Sequence, residues 1–136
     1  MNYSCIRNQI EDGVSIITFN RPDKLGAMNA QMMAETLHAM EKASENEDVR
    51  CIILTGTGRG FCSGQDLNDR IKQKTGKKRD LGVTLDEGYN RFARKVRSLR
   101  IPIVVAVNGI AAGAGSSIAL LGDIVIAAKS ASFIQA

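Results

Sequence analysis

The sequence predicts an α/β fold whose sheet is mainly parallel. Short apolar runs alternate with segments of helical periodicity, and glycine-rich loops separate the two. The 136 residues are 44% hydrophobic and 24% charged, a composition typical of one soluble globular domain with a sizeable core. Because strands that alternate with helices form right-handed βαβ units, we expect most neighbouring strands to be parallel.

The chain begins with a predicted β-hairpin. Residues 3–9 and 14–19 flank the turn residues Asp12 and Gly13. Pro22 and its polar neighbours then end the second strand.

A helix and a buried strand are predicted next. Asn29 is expected to cap a helix that extends to about Glu45. The apolar residues at helical spacing in it are Met33, Leu37 and Met40. Residues 51–55 form a continuous apolar run, which favours a strand covered on both faces.

The middle of the chain combines a glycine loop with two predicted helices. The loop at residues 56–64 directly follows the buried strand, and a short helix from about Asp66 to Ile71 comes after it. Residues 72–82 are lysine-rich and are expected to be mobile. A longer helix is predicted for about residues 84–99. Its apolar stripe comprises Leu85, Tyr89, Phe92, Val96 and Leu99.

The sequence from residue 102 onwards predicts two strands, one on each side of a second glycine loop. Pro102 precedes a strand at residues 103–107, and the glycine loop occupies residues 109–117. A short helix at 115–121 and a strand at 124–128 follow. Residues 131–136 have the pattern of a strand without a following turn, so we expect the fold to continue beyond Ala136.

The two glycine loops are the candidate functional motifs. Each follows a strand and precedes a helix, where backbone N–H groups lack intrahelical partners. The segments 56–67 and 109–117 lack both the GxGxxG spacing of dinucleotide sites and the terminal GK[ST] of phosphate-binding loops. They could therefore form an oxyanion hole, or their glycines could simply permit tight turns.

Three ordered motifs resemble the crotonase superfamily, the enoyl-CoA hydratases and isomerases. They are NRPDKLGAMN at 20–29, GRGFCSGQDL at 58–67 and PIVVAVNGIAAGAGSSIALLGDIVIA at 102–127. The resemblance implies a ββα spiral, with residues 1–136 as the N-terminal part of an acyl-CoA-binding domain. It also implies an acyl-CoA thioester substrate, whose carbonyl would accept hydrogen bonds from the backbone N–H groups of Gln65 and Ala114.

The resemblance also implies further substrate contacts. They are placed at Lys24, Leu25, Ala27, Ser63, Gly64, Asp66, Leu67, Asn68 and Gly113, besides Gln65 and Ala114. Two residues depart from the family pattern, because Gly26 stands where asparagine is frequent and Ala114 where glycine is common. The Ala114 methyl group leaves its backbone N–H in place.

Ser117 matches the position of the catalytic glutamate of the hydratases. A serine hydroxyl is not a general base at neutral pH without an activating neighbour. The resemblance therefore favours an isomerase over a hydratase and is strongest to the ring-modifying isomerases of phenylacetyl-CoA breakdown. Those proteins use a carboxylate farther along the chain, beyond Ala136. The alternatives are a non-catalytic acyl-CoA-binding or interaction protein, or an inactive fragment.

No other cofactor or macromolecular partner is predicted. The family implies no tightly bound cofactor, with coenzyme A entering as part of the substrate, and a homotrimer or hexamer for the full-length protein. A single basic cluster at residues 72–79 does not make the broad basic face that nucleic acid requires, although it could attract coenzyme A phosphates. We expect a cytoplasmic protein without a membrane span, because neither a signal peptide nor an apolar run of about 18 residues is present.

Three other side chains, Cys62, His38 and Asp123, are candidate reactive groups. The three cysteines lack metal-site spacing, and Cys62 is expected to be a small buried residue of its loop. His38 is expected to be an unpartnered surface histidine. Asp123, at the start of a strand, is expected to form turn or cap hydrogen bonds.

Overall fold

The computed structural model describes residues 2–68 and 86–135. Its strands are β1 (Ile6–Glu11), β2 (Val14–Phe19), β3 (Cys51–Gly56), β4 (Gly60–Cys62), β5 (Ile103–Val107), β6 (Ile110–Ala112), β7 (Ile124–Ala127) and β8 (Ser132–Ile134). Its α-helices are α1 (Ala30–Glu45), α2 (Arg91–Ser98) and α3 (Ala114–Ala119). A 3₁₀ helix at Pro22–Lys24 precedes α1, and a π-helical turn at Asp86–Asn90 leads into α2.

The strands form two sheets. The larger has the order β1-β2-β3-β5-β7, and only its β1–β2 pair is antiparallel. The smaller has the order β4-β6-β8 and is parallel throughout. The expected mainly parallel α/β fold is therefore confirmed.

The predicted hairpin is confirmed at its turn. Asp12 (φ 48°) and Gly13 (φ 79°) both have left-handed backbone angles, as a two-residue type I′ turn requires. The first strand nevertheless begins at Ile6, later than predicted, and continues to Glu11.

Helix α1 begins where its cap predicts. The Asn29 side-chain oxygen accepts a hydrogen bond from the Met32 N–H at 2.8 Å. The buried face is rotated from the predicted one, because Met33 and Leu37 are only half buried. Its buried residues are Met32, Glu35, Thr36, Ala39, Met40 and Ala43. Thr36 belongs to this face because its hydroxyl donates to the Met32 carbonyl at 2.7 Å, which satisfies the group in the core.

The glycine loop at 109–117 contains a strand that periodicity did not predict. Strand β6 is only three residues long and finds its partners in β4 and β8, which are remote in sequence. Parallel pairing of this kind depends on distant segments and has no local signature.

The second half of the described chain otherwise follows the prediction. Phe92 and Val96 of α2 are buried, with Tyr89 and Leu99 packed beside them. The predicted strands at 103–107 and 124–128 correspond to β5 and β7. The helix predicted after Asp66, the basic stretch at 72–82 and the start of the helix predicted at 84 extend into residues outside the described ranges.

Candidate functional site

The two glycine segments, residues 56–67 and 109–117, lie side by side. Strand β4 of the first pairs in parallel with β6 of the second, with Gly60 opposite Ile110 and Cys62 opposite Ala111. Beyond these strands the backbones remain in contact. A Cβ atom placed on Gly64 would lie 3.0 Å from the Ala112 carbonyl oxygen and 3.9 Å from the Ala114 nitrogen.

Two glycines make this approach possible. Gly64 has a φ of +103°, which side-chain-bearing residues rarely adopt. A Cβ on Gly115 would lie 1.9 Å from the Cys62 carbonyl oxygen. Helix α3 therefore packs directly on the backbone of the first segment.

The Gln65 N–H is directed away from the neighbouring chain. The Gly64 carbonyl accepts from the Met28 N–H at 2.8 Å, and the Asp66 N–H donates to the Met28 carbonyl at 2.9 Å. Because a trans peptide points its C=O and N–H in opposite directions, the Gln65 N–H faces away from Met28. Among residues 2–68 and 86–135, it has no hydrogen-bond acceptor.

The Ala114 N–H is likewise free of partners within the described ranges. Ala114 is the first residue of α3, and the Gly113 carbonyl before it accepts from the Ser116 and Ser117 N–H groups at 3.1 and 3.3 Å. The same peptide geometry then points the Ala114 N–H out of the start of the helix. Within the described residues, the two predicted donors are thus unpaired, and they lie on adjoining segments.

The turn at residues 21–28 packs against the first glycine segment. The Ser63 N–H donates to the Leu25 carbonyl at 3.0 Å, and the Ser63 hydroxyl donates to the Lys24 carbonyl at 3.1 Å. The structure therefore brings Lys24, Leu25 and Ala27 next to the first segment, where the predicted contacts at 63–68 also lie. Leu67 and Asn68 are exposed at the end of that segment.

An ion pair joins the turn at residues 21–28 to the first glycine segment. Arg21 donates to Asp66 at 2.7 Å and, through its other terminal nitrogen, to the Ala27 carbonyl. The Asp66 carboxylate also accepts from the Asn68 N–H at 3.0 Å. The hydrogen bond from Arg21, followed by that from the Asn68 N–H, lowers the pKa of Asp66 below its usual value. Asp66 therefore stays ionised and acts here as a structural group.

Asp66→Asn is expected to destabilise the protein in a pH-dependent way. Since the pKa of Asp66 is lowered on folding, its stabilising contribution is present above the usual aspartate pKa. That contribution is lost as the pH falls through the lowered value. Urea unfolding should show a lower free energy of unfolding for the variant at pH 7, with the difference shrinking towards pH 3.

Asp48→Asn is the matched control, because this exposed residue has no ion pair in the described part of the chain. A pH-independent difference for Asp66→Asn would contradict the role of the ion pair.

Ser117 is exposed on α3. Its side chain makes no hydrogen bond to residues 2–68 or 86–135, whereas the neighbouring Ser116 is buried and donates to the Ala111 carbonyl at 2.7 Å. No activating partner for the Ser117 hydroxyl is thus found in the described ranges.

Of the other reactive candidates, Cys62 behaves as expected, whereas Asp123 forms no local turn or cap bond among the described residues and instead bonds residues remote in sequence. Cys62 is fully buried, and burial raises the pKa of its thiol, which keeps it protonated. Asp123 accepts from the Ile103 N–H at 2.9 Å and pairs with Arg97 at 3.0 Å, so it joins β5, α2 and the start of β7.

The prediction for His38 was wrong. Its Nδ1 forms a 2.8 Å hydrogen bond with the Tyr3 hydroxyl, and the rings meet edge to face. The partner lies 35 residues away, so no local pattern could have indicated it.

Neither a candidate metal site nor a candidate membrane span occurs among residues 2–68 and 86–135. No group of three or more His, Cys, Asp or Glu side chains there is arranged to hold a metal ion. No helix in the same ranges has the length and apolarity needed to cross a bilayer.

The mainly parallel sheets and the two adjoining glycine segments define an α/β protein with a candidate site where those segments meet. Residues 9–136 match the family model described as enoyl-CoA hydratase/isomerase, and the chain belongs to this family of the crotonase superfamily. The resemblance seen in the three sequence motifs is thereby confirmed.

Individual relatives agree with this assignment. The chain is 47% identical to the 1,2-epoxyphenylacetyl-CoA isomerase of Escherichia coli K12, over 96% of this chain and 50% of that protein. It is 43% identical to a probable enoyl-CoA hydratase of Rhodobacter capsulatus, over 100% of this chain and 51% of the relative. The chain thus spans about half the length of these curated relatives.

Solved structures confirm the crotonase-like fold. The structure of PA4980 from Pseudomonas aeruginosa superposes with a TM-score of 0.86 at 31% identity, covering 98% of this chain and 56% of that one. An enoyl-CoA hydratase structure from Geobacillus kaustophilus gives a TM-score of 0.84 at 34% identity, covering 98% and 49%.

Proposed function

We propose that this protein binds an acyl-CoA thioester and stabilises its enolate through the backbone N–H groups of Gln65 and Ala114. The observation that supports this proposal most directly is that neither N–H group has an acceptor among residues 2–68 and 86–135, while their two segments are in backbone contact. Removal of an α-proton from a thioester moves negative charge onto the carbonyl oxygen. Fixed donors at that oxygen stabilise the charge without having to reorganise during the reaction.

The fixed orientation of both peptides supports the same role. The Met28 backbone holds the peptides on either side of Gln65, and the first turn of α3 holds the Gly113–Ala114 peptide. A donor that is already oriented contributes more to the transition state than one that must first be ordered. The Ala114 N–H also benefits from the positive end of the α3 dipole.

For the coenzyme A portion, the proposed contacts are Lys24, Leu25 and Ala27 together with the residues at 63–68 and Gly113. Hydrogen bonds from Ser63 and the Arg21–Asp66 pair hold that turn against the first glycine segment, which carries Gln65. One thioester could therefore contact both parts of the site. In this proposal coenzyme A enters only as part of the substrate, and no tightly bound cofactor is needed. The proposal also takes the full-length protein to be a homotrimer or hexamer, located in the cytoplasm.

Among acyl-CoA reactions, isomerisation is favoured over hydration. Hydratases of the family use a glutamate at the position of Ser117, and the exposed Ser117 side chain has no partner in the described ranges that could activate it. The relative at 47% identity is itself an isomerase of 1,2-epoxyphenylacetyl-CoA. A ring-modifying isomerase acting on an aryl-acyl-CoA is the specific form of the proposal.

A second candidate is an acyl-CoA-binding protein without catalysis. It is favoured by one observation, since the carboxylate nearest the donors in sequence, Asp66, is already engaged by Arg21 and the Asn68 N–H. A group engaged in this way is not available as a general base.

Exchange at the acyl α-carbon distinguishes the two candidates. The full-length protein is incubated with phenylacetyl-CoA in D₂O, and the recovered thioester is analysed by mass spectrometry, with a protein-free sample as control. An enzyme that forms the enolate removes the α-proton and returns a deuteron, so the mass rises. Binding measured by calorimetry without exchange would support the second candidate. Neither binding nor exchange with phenylacetyl-CoA or crotonyl-CoA would overturn the proposal.

A further inference from the structure

The Asn108 side chain, just before the second glycine segment, forms hydrogen bonds with the start of the first segment. This end of the two segments lies opposite the end that carries the Gln65 and Ala114 N–H groups. Asn108 follows β5 directly, and its side-chain oxygen accepts from the Gly56 N–H at 3.0 Å. Its side-chain nitrogen donates to the carbonyls of Gly58 at 2.9 Å and Gly60 at 3.3 Å. An N–H on one side and two carbonyls on the other define a single orientation of the amide.

These bonds connect three elements of the site. Gly56 ends β3, Gly60 begins β4, and Asn108 lies two residues before β6. The adjacent backbone adds a bond from the Ile110 N–H to the Arg59 carbonyl at 3.2 Å. From this point the two segments run in parallel towards Gln65 and Ala114.

The strand pairing between the segments is short and irregular. Strands β4 and β6 have three residues each, and their register shifts between Gly60 and Cys62. A slip of one residue would move one donor by about 3.3 Å relative to the other. Pairing of this length specifies the register weakly, so an additional constraint at its start has a large effect.

We propose that Asn108 is a positioning residue that fixes the register of the two segments and thereby the relative placement of the Gln65 and Ala114 N–H groups. The proposal rests on the proposed function, because it concerns the geometry of that oxyanion hole. Asn108 acts through the backbone and does not itself contact the thioester.

Asn108→Asp isolates this role with little change of shape. The carboxylate can still accept from the Gly56 N–H, but it now opposes the Gly58 and Gly60 carbonyls with an oxygen instead of an NH₂ group. The variant is expected to lose about 10²-fold in kcat, as displacement of about 1 Å at a reacting centre can cause, with KM within about threefold.

The matched control is Asn8→Asp on β1, where the asparagine oxygen accepts one hydrogen bond from the Ser15 hydroxyl at 3.0 Å. Asn8→Asp should leave both kcat and KM unchanged. Asn108→Ser, which adds no charge, provides a second variant in case the aspartate prevents folding.

Two measurements separate positioning from a merely structural role. Titration with a non-reactive acyl-CoA thioether counts folded binding sites, so that kcat is expressed per site. Infrared spectroscopy of a bound ¹³C-labelled thioester reports how strongly its carbonyl is polarised. Misplaced donors lower kcat per site and return the carbonyl stretch towards its frequency in solution, whereas simple loss of folded protein changes neither.

The outcomes for the two proposals are distinct. A full-length wild-type protein that neither binds nor turns over acyl-CoA would overturn the proposed function. An active wild-type protein whose Asn108 variants keep kcat per site and the carbonyl frequency would overturn the positioning role alone.

Discussion

Replacing Gln65 by proline is expected to lower kcat of the full-length protein by about 10²–10³-fold, the usual cost of removing one oxyanion donor. Proline lacks the backbone N–H, which at this position has no acceptor in the part of the chain that the structure describes. Gln65→Ala is expected to retain most of the activity, because the Gln65 side chain is exposed and only its main chain is assigned a role. The measurement is steady-state turnover of the acyl-CoA that exchanges fastest in D₂O.

Proline at this position also restricts the residue before it, so folding must be checked separately. Gly64 has a φ of +103°, and its carbonyl bond to the Met28 N–H should survive in a correctly folded variant. Circular dichroism, the thermal midpoint and the count of binding sites establish whether the loop is intact. Equal loss of kcat in the alanine and proline variants would contradict a backbone role.

Gly115→Ala is expected to destabilise the protein by about 1–3 kcal/mol, as overpacking of a close contact does. A Cβ there would lie 1.9 Å from the Cys62 carbonyl oxygen, a backbone atom that cannot move without shifting β4. The direction of the change in the free energy of unfolding is informative, because replacing glycine by alanine within a helix ordinarily stabilises a protein by up to about 1 kcal/mol. Displacement of α3 would also move the Ala114 N–H, so kcat should fall with stability.

Gly88→Ala is the control for this substitution. A Cβ at Gly88 meets no atom of the described chain within 4 Å, so this variant should be neutral or slightly stabilising. Urea unfolding of both variants against wild type gives the comparison. A Gly115→Ala protein at least as stable as wild type would show that the two segments can separate without cost.

Local chemistry made much of the fold predictable. The turn at Asp12 and Gly13 requires two left-handed residues, and the Asn29 cap needs only the N–H three residues later. Apolar runs also located β3, β5 and β7 to within a residue. In each case the residues that specify the element lie inside it or beside it.

Other features depend on contacts between remote segments. His38 pairs with Tyr3 and Arg21 with Asp66, and neither pair has a sequence spacing that marks it. Strand β6 exists because β4 and β8 offer backbone partners. The role of Asn108 likewise emerges only when Gly56, Gly58 and Gly60 are brought to its amide.

The sequence by itself determined the fold class, the family and the two segments that bear the proposed donors, because glycine spacing and ordered motifs are local properties of the chain. Only the tertiary structure decided that these segments touch, and that the N–H groups of Gln65 and Ala114 point away from their own hydrogen-bonded neighbours. The physical reason is that the carbonyl and the N–H of one trans peptide point in opposite directions. The group that hydrogen-bonds the carbonyl therefore fixes the direction of the N–H. For Gln65 that partner is Met28, a residue from a separate turn.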